Sequence, residues 1–118
     1  MNGESYRGGL VKALRRIRKF GPHSLFTALG LDPAKNDPTG SWSLTAKDFE
    51  RNGRMIGETA PATLIVQAGG YHIRSLGGNA RSFFQGLAAE MFWAVRQLPC
   101  VERHYQDLQK ICLSSPGA

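Results

Sequence analysis

Two polar residues follow short apolar runs in the sequence, and the side chains of both could take part in chemistry. Asp32 follows the run 24–31, and Tyr71 follows a Gly-Gly pair behind the run 63–66. A carboxylate can ligate a metal ion or orient a general base. A tyrosine hydroxyl can donate a hydrogen bond to a developing oxyanion. If the two runs are neighbouring parallel strands, their carboxyl ends meet at one crevice, where open α/β sheets bind ligands. We therefore expect Asp32 and Tyr71 to face the same crevice.

Each of these residues also has an ordinary structural interpretation. An aspartate before proline is typical of a turn in which the carboxylate bonds to nearby backbone. A tyrosine behind two glycines is typical of packing with a solvated hydroxyl. Gly69 and Gly70 let the backbone turn sharply and approach a ligand closely, and such a pair before a helix could also bind an anion. The chain contains no G-x-x-x-x-G-K-[ST] and no G-x-G-x-x-G, so nucleotide binding is not favoured.

The two apolar runs predict two short strands of a parallel sheet. Residues 24–31 (SLFTALGL) are almost continuously apolar, which is typical of a strand buried on both faces. Residues 63–66 (TLIV) are rich in β-branched side chains, which favour strands. Residues 32–43 contain two Asp-Pro pairs and a Gly-Ser, and they predict a loop. Two parallel strands leave two edges open, so the pattern indicates one edge of a larger sheet.

Helical periodicity predicts three helices around these strands and a fourth helical segment at 100–112. An apolar stripe predicts an amphipathic helix over 5–19, which Gly21-Pro22 would end. Thr45 is a suitable N-cap, with Asp48 in the first turn of a second helix that runs to about residue 59. A third stripe predicts a helix over 80–95. Helices that alternate with strands predict an α/β fold with right-handed parallel crossovers.

Four blocks of the sequence occur in an order that matches one protein family. The blocks are LGLDPAKNDP at 29–38, LTAKDF at 44–49, LIVQAGGY at 64–71 and LGGN at 76–79. Together they resemble the C-terminal part of the histone deacetylase superfamily, in the style of its bacterial acetylpolyamine amidohydrolase-like branch. The resemblance extends over about residues 8–87. It implies a partial three-layer αβα domain with parallel strands over 1–87, at the C-terminal edge of an arginase/deacetylase-like sheet, followed by a divergent helical extension over 88–118.

The resemblance also implies roles for the residues at the predicted crevice. Asp32 matches an aspartate ligand of the family's zinc ion. Tyr71 matches the tyrosine that donates a hydrogen bond to the substrate carbonyl, and Gly69 and Gly70 match glycines of the substrate pocket. The family reaction is zinc-dependent hydrolysis of an acetamide, in which the metal polarises the carbonyl and a bound water attacks. The implied substrates are acetyl-lysine or acetylpolyamines.

The chain departs from the family by lacking further metal ligands and the general base. The family's Asp-x-His motif and its paired histidines are absent, and the histidines present are His23, His72 and His104. A catalytic zinc ion normally takes three protein ligands. We therefore expect this chain to be a fragment that is inactive alone and that an N-terminal half would complete. Cys100 and Cys112 with His104 fit no familiar zinc spacing.

Two other classes of function stay open. The apolar third helix could bury against a second copy, which would make the chain a small non-catalytic dimerising module. The chain also carries 15 Lys and Arg residues against 9 Asp and Glu residues, a net charge of +6. The basic face of the first helix could therefore bind an anionic surface, although nucleic acid is not the favoured partner.

Length and composition limit where such a chain works. Its 118 residues fit one domain, and no apolar run approaches the roughly 20 residues of a membrane helix. The first seven residues show no secretory signal pattern. Two cysteines do not make a disulfide framework. We therefore expect a cytoplasmic protein without a membrane span.

Overall fold

A computed structural model describes residues 2–59 and 62–96 of the chain, with side chains up to residue 91. Three helices and two strands alternate along these residues: α1 (Gly3–Phe20), β1 (Leu25–Leu29), α2 (Ala46–Gly57), β2 (Thr63–Gln67) and α3 (Ile73–Arg96). The predicted mixed α/β order is confirmed. The predicted segment 100–112, with its two cysteines and His104, lies outside the described residues. Helix α3 runs through position 88, and a division of the chain at that position stays a prediction.

The two strands pair in parallel, and the hydrogen bonding between them continues beyond the carboxyl end of each strand. Leu29 lies opposite Gln67 in the register. The N–H of Ala68 then donates to the Leu29 carbonyl, and the N–H of Leu31 donates to the Gly69 carbonyl, each at 2.8 Å. The parallel pairing expected from the sequence is therefore confirmed. The continued bonding holds the two chain segments that leave the sheet side by side.

Helices α2 and α3 pack closely because glycines lie in their contact. A Cβ atom on Gly53 would overlap the carbonyl oxygen of Phe83, and one on Gly86 would overlap the carbonyl oxygen of Glu50. A glycine inside a helix costs about 1 kcal/mol relative to alanine. The close approach of the two backbones offsets this cost, and the apolar stripe of α3 is thereby brought onto α2.

The core lies between the helices and one face of the sheet. Its largest fully buried side chains are Leu31, Leu44 and Phe83. Leu31 and Leu44 lie on either side of the predicted loop 32–43, so both ends of this loop are anchored in the core. The buried apolar residues are Leu14, Leu29, Leu31, Ala34, Leu44, Phe49, Ile56, Phe83 and Leu87.

The expectation that β1 is buried on both faces is wrong for the described chain. Burial alternates along the strand, and the exposed fractions are 66% for Phe26, 60% for Leu64 and 42% for Val66. These residues and Ala28 form an open sheet face, whereas Leu29 on the other face is buried. The apolar run 24–31 therefore predicted the strand correctly but not the burial of all its side chains. The described residues supply two of the three layers that the family resemblance implies.

A single carboxylate joins α1 to the start of α2. Oδ2 of Asp48 accepts hydrogen bonds from the N–H of Thr45 at 2.9 Å and from its hydroxyl at 2.7 Å. Oδ1 accepts a hydrogen bond from Arg7 of α1 at 2.8 Å. Partial burial opposes ionisation, but the Thr45 and Arg7 contacts outweigh it and lower the pKa of Asp48. Thr45 is the residue before α2, as predicted.

No helix in the described part of the chain could cross a membrane.

The helix contact predicts opposite effects for two glycine-to-alanine substitutions. Gly53→Ala should lower the free energy of unfolding by about 1–3 kcal/mol, because the added methyl group overpacks the contact with α3. Gly9→Ala is the matched control, because nothing lies within 4 Å of a Cβ at that helical position; it should raise stability by up to about 1 kcal/mol. Urea unfolding followed by circular dichroism measures both. Changes of the same sign would contradict the packing.

Candidate functional site

The candidate site lies at the carboxyl end of the paired strands. Asp32 leaves β1 there, and its half-buried carboxylate lies against the backbone of both paired segments. A Cβ atom on Gly30 or on Gly69 would come within 2.5 Å of Oδ1 of Asp32. Glycine at these two positions therefore leaves the room that the carboxylate occupies.

The Asp32 carboxylate does not form the self-bonded turn that is typical of Asp-Pro sequences. The residues at 2–59 and 62–91 donate no hydrogen bond to its oxygens. Its electrostatic influence reaches Tyr6 of α1: burial first, and then the Asp32 charge, raise the pKa of the Tyr6 phenol. The Tyr6 ring meets Trp42 edge-on, with ring centroids 5.3 Å apart. The first turn of α1 and the loop after β1 therefore meet near Asp32.

Tyr71 follows β2 at the same end of the sheet, through a segment that requires glycine at position 70. Gly70 has a φ of +137°, which side-chain-bearing residues rarely adopt. A Cβ atom there would also lie 2.8 Å from side-chain atoms of Leu31 and Leu76. The prediction of a turn at the glycine pair is wrong, because residues 68–72 form neither a hydrogen-bonded turn nor a bend; Gly70 does take a conformation that favours glycine. Beyond Gly70, Tyr71 is 59% exposed.

Asp37 is the site residue that sequence reasoning missed. It is only 6% exposed, and its carboxylate accepts four hydrogen bonds. Oδ1 accepts from the N–H and the hydroxyl of Thr39, at 3.0 and 2.7 Å. Oδ2 accepts from the N–H of Tyr71 at 2.7 Å and from the N–H of His72 at 3.1 Å. Asp37 lies in the predicted loop 32–43, but no local signal pointed to a partner 34 residues away.

These hydrogen bonds keep Asp37 ionised. Burial by itself opposes the charged form, but the donors of Tyr71, Thr39 and His72 together lower the pKa of Asp37 to about 2. Hydrogen bonds from two or three backbone N–H groups are known to have this effect on a carboxylate. The negative charge also lies beside the first turn of α3, where the helix dipole favours it.

The His72 ring is engaged at the start of α3. Its Nδ1 lies 2.7 Å from Oγ of Ser75, and the buried Asn79 donates to the same hydroxyl at 3.2 Å. The carbonyl of His72 accepts hydrogen bonds from the N–H groups of Ser75 and Leu76, both at 3.1 Å. Three groups of His72 are therefore held: its N–H by Asp37, and its carbonyl and its ring by the first turn of α3.

The described residues do not by themselves make a zinc site. No group of three His, Cys, Asp or Glu side chains within them is placed to hold a metal ion. A catalytic zinc ion normally takes three protein ligands, and Asp32 offers one carboxylate. Asp32, the two glycines and Tyr71 lie on adjoining segments at one end of the sheet, and the expectation that Asp32 and Tyr71 face one crevice stays a prediction. Their chemical roles stay predictions.

Comparison with known proteins places these residues in one family. Residues 2–87 match the family described as histone deacetylase domain. The chain is 48% identical over 77 residues to an acetylpolyamine amidohydrolase of Burkholderia pseudomallei, an alignment that covers 65% of this chain and 23% of that protein. It is 38% identical over 77 residues to acetylpolyamine amidohydrolase 2 of Pseudomonas aeruginosa, covering 65% and 22%.

A solved structure agrees with this match. The chain superposes on the crystal structure of the acetylpolyamine aminohydrolase from Burkholderia pseudomallei with a TM-score of 0.71 and 41% sequence identity. The superposition covers 75% of this chain and 26% of that one. The chain therefore spans about a quarter of the length of the curated relatives that it matches.

The carboxylates of Asp37 and Asp48 predict a loss of stability in acid. The pKa of each is lower in the folded chain than its ordinary value of 3.8, to about 2 for Asp37. Their ionisation therefore stabilises the fold above about pH 4, and this contribution is lost as the pH falls toward 2. Asp37→Asn should lower stability at pH 7 and flatten its decline between pH 4 and 2. Unfolding measured across this range tests the expectation, and an unchanged slope would contradict it.

Proposed function

This chain belongs to the histone deacetylase family, and we propose that it forms the C-terminal edge of a zinc-dependent amidohydrolase domain. The proposed reaction removes an acetyl group from an acetylated amine, either an acetylpolyamine or acetyl-lysine, and the completed domain is an enzyme. Its mixed α/β architecture is that of the arginase/deacetylase fold. The observation that carries the proposal is the continued pairing of Leu31 with Gly69, which puts Asp32 beside the segment that ends in Tyr71.

We assign Asp32 the role of one zinc ligand. Support comes from its half-buried carboxylate, which receives no hydrogen bond from the described residues and lies in a recess formed by Gly30 and Gly69. The sequence has no Asp-x-His motif, so the remaining ligands would come from another part of the domain. When bound, zinc would polarise the acetamide carbonyl and lower the pKa of its bound water.

Tyr71 is proposed to stabilise the oxyanion that develops on the acetyl carbonyl. In the proposed reaction the Tyr71 hydroxyl donates a hydrogen bond to the oxygen of the acetyl carbonyl. A donor aimed at the charge that develops on this oxygen lowers the activation barrier substantially. Gly69 and Gly70 would line the pocket, because a backbone without side chains lets the substrate pass close to the sheet.

The acetylpolyamine relatives favour an acetylated amine as substrate. A cytoplasmic location stays a prediction.

The open sheet face is proposed to receive the N-terminal part of the same domain. Phe26, Leu64 and Val66 are 42–66% exposed, on a face that parallel sheets normally cover with helices. Burying a large apolar side chain stabilises by about 1.5–3 kcal/mol, so covering this face would be strongly favourable. The alternative is a non-catalytic module in which a second copy of the chain covers an apolar surface; sedimentation distinguishes the two.

A chimera tests the proposed chemistry. Residues 2–87 would replace the matched segment of the Burkholderia acetylpolyamine amidohydrolase, and the product should bind zinc and hydrolyse an acetylated diamine. Tyr71→Phe should lower kcat roughly 10²–10³-fold because one oxyanion donor is lost, with zinc content unchanged. Asp32→Asn should lose zinc.

The control substitution in the chimera is His23→Gln, at an exposed position before β1; it should leave zinc content and kcat unchanged. A folded, zinc-loaded chimera whose Tyr71→Phe variant keeps full kcat would contradict the role of Tyr71. Comparing an acetylated diamine with an acetyl-lysine peptide separates the two substrate classes.

A complementation experiment tests the proposed partner. The full chain is mixed with the part of the Burkholderia enzyme that precedes the matched segment, and a one-to-one complex with hydrolytic activity is expected. Phe26→Lys should weaken association, because it places a charge on the open sheet face. Ala13→Lys is the matched control on the exposed side of α1. No complex at high concentration, or a stable homodimer of the chain alone, would favour the non-catalytic module.

A further inference from the structure

We propose that Asp37 is a positioning residue, whose carboxylate clamps the backbone of Tyr71 and His72 and so holds Tyr71 in place at the carboxyl end of the sheet. The inference rests on the function proposed above for Tyr71. It assigns a task to a buried charged group that neither the sequence pattern nor the proposed metal chemistry uses.

The clamp uses both oxygens of the carboxylate. Oδ2 receives the N–H groups of Tyr71 and His72 at 2.7 and 3.1 Å, and Oδ1 receives both donors of Thr39. An ionised carboxylate has about four acceptor positions, and four donors are present. Oδ1 is bound within the loop that carries Asp37, so the same carboxylate joins this loop to the backbone of Tyr71.

The loop that carries Asp37 is itself fixed. The N–H of Lys35 donates to the Leu44 carbonyl at 2.9 Å, and the N–H of Asp37 donates to the Ala34 carbonyl at 3.1 Å. Ala34 and Leu44 are 2% and 1% exposed. The same loop begins at Asp32, so the clamp sets the position of Tyr71 relative to the proposed zinc ligand.

Asp37 accepts the hydrogen bond from the Tyr71 N–H, whereas Gly69 is held by the sheet pairing and His72 also by the first turn of α3. Tyr71 itself is 59% exposed, and the residue before it is a glycine with positive φ, which is intrinsically permissive. An oxyanion donor contributes to the rate only when it is held close to its productive position. A carboxylate that served only to stabilise the start of α3 would affect folding without affecting Tyr71 in particular, and the two roles can be separated.

Hydrogen exchange on the full chain tests the clamp. Asp37→Ala should accelerate exchange at the N–H groups of Tyr71 and His72 at least tenfold, and leave those of Leu31 and Ala68 in the sheet unchanged. Asp37→Asn, which keeps one acceptor oxygen, should give an intermediate effect, and it carries the test if the alanine variant does not fold. Thr59→Val is the matched control: it removes a threonine hydroxyl that donates to the Met55 carbonyl at the end of α2, outside the clamp, and should leave Tyr71 protected. Unchanged protection of Tyr71, or equal loss across the sheet, would overturn the clamp.

Kinetics in the chimera test its consequence for the reaction. Asp37→Asn should lower kcat roughly 10- to 100-fold, with KM and zinc content unchanged. In a Tyr71→Phe background the same substitution should cause no further loss, because it acts through the Tyr71 hydroxyl. Losses that multiply would overturn the positioning role. A chimera that is inactive with all native residues would instead reject the proposed function, while the exchange experiment still decides the clamp.

Discussion

The parallel pairing of β1 with β2, continued one step beyond each strand, is the constraint on which the site depends. The hydrogen bond from Leu31 to Gly69 holds two segments side by side that are distant in sequence. A shift of one residue in this register would turn every side chain to the opposite face of the sheet. It would remove Asp32 from the recess at Gly69 and Tyr71 from the reach of Asp37. The buried face of the sheet enforces the register, because only one arrangement places Leu29 in the core.

Glycines make two distinct close approaches possible in this small chain. At the helix contact, Gly53 and Gly86 let the backbones of α2 and α3 meet, which secures the apolar side chains beneath the sheet. At the site, Gly69 leaves room for the Asp32 carboxylate, and Gly70 adopts a backbone conformation unsuited to other residues. The first pair serves stability and the second serves the shape of the candidate site. Both depend on the same physical fact, that a Cβ atom would occupy space already taken.

The sheet and the proposed site each present groups that the described chain leaves uncovered. The open sheet face presents Phe26, Leu64 and Val66 to solvent, and the candidate site presents Asp32 as one carboxylate where zinc chemistry needs three ligands. Both features accord with a chain that spans about a quarter of its relatives' length. The charged cluster around Asp37, by contrast, is complete within the chain, since all its donors are present. Local order at Tyr71 is thus achieved without the rest of the domain.

Local patterns in the sequence determined the order of helices and strands and the N-cap at Thr45, because these depend on neighbouring residues. The blocks around Asp32 and Tyr71 also identified the family. Tertiary structure alone decided the roles of contacts between distant residues: the Asp37 carboxylate on the Tyr71 backbone, and the glycine contact of α2 with α3. The expectation that β1 is buried on both faces was wrong for the same reason. An apolar run indicates which side chains favour burial, but the layers packed against the sheet decide which of them are covered.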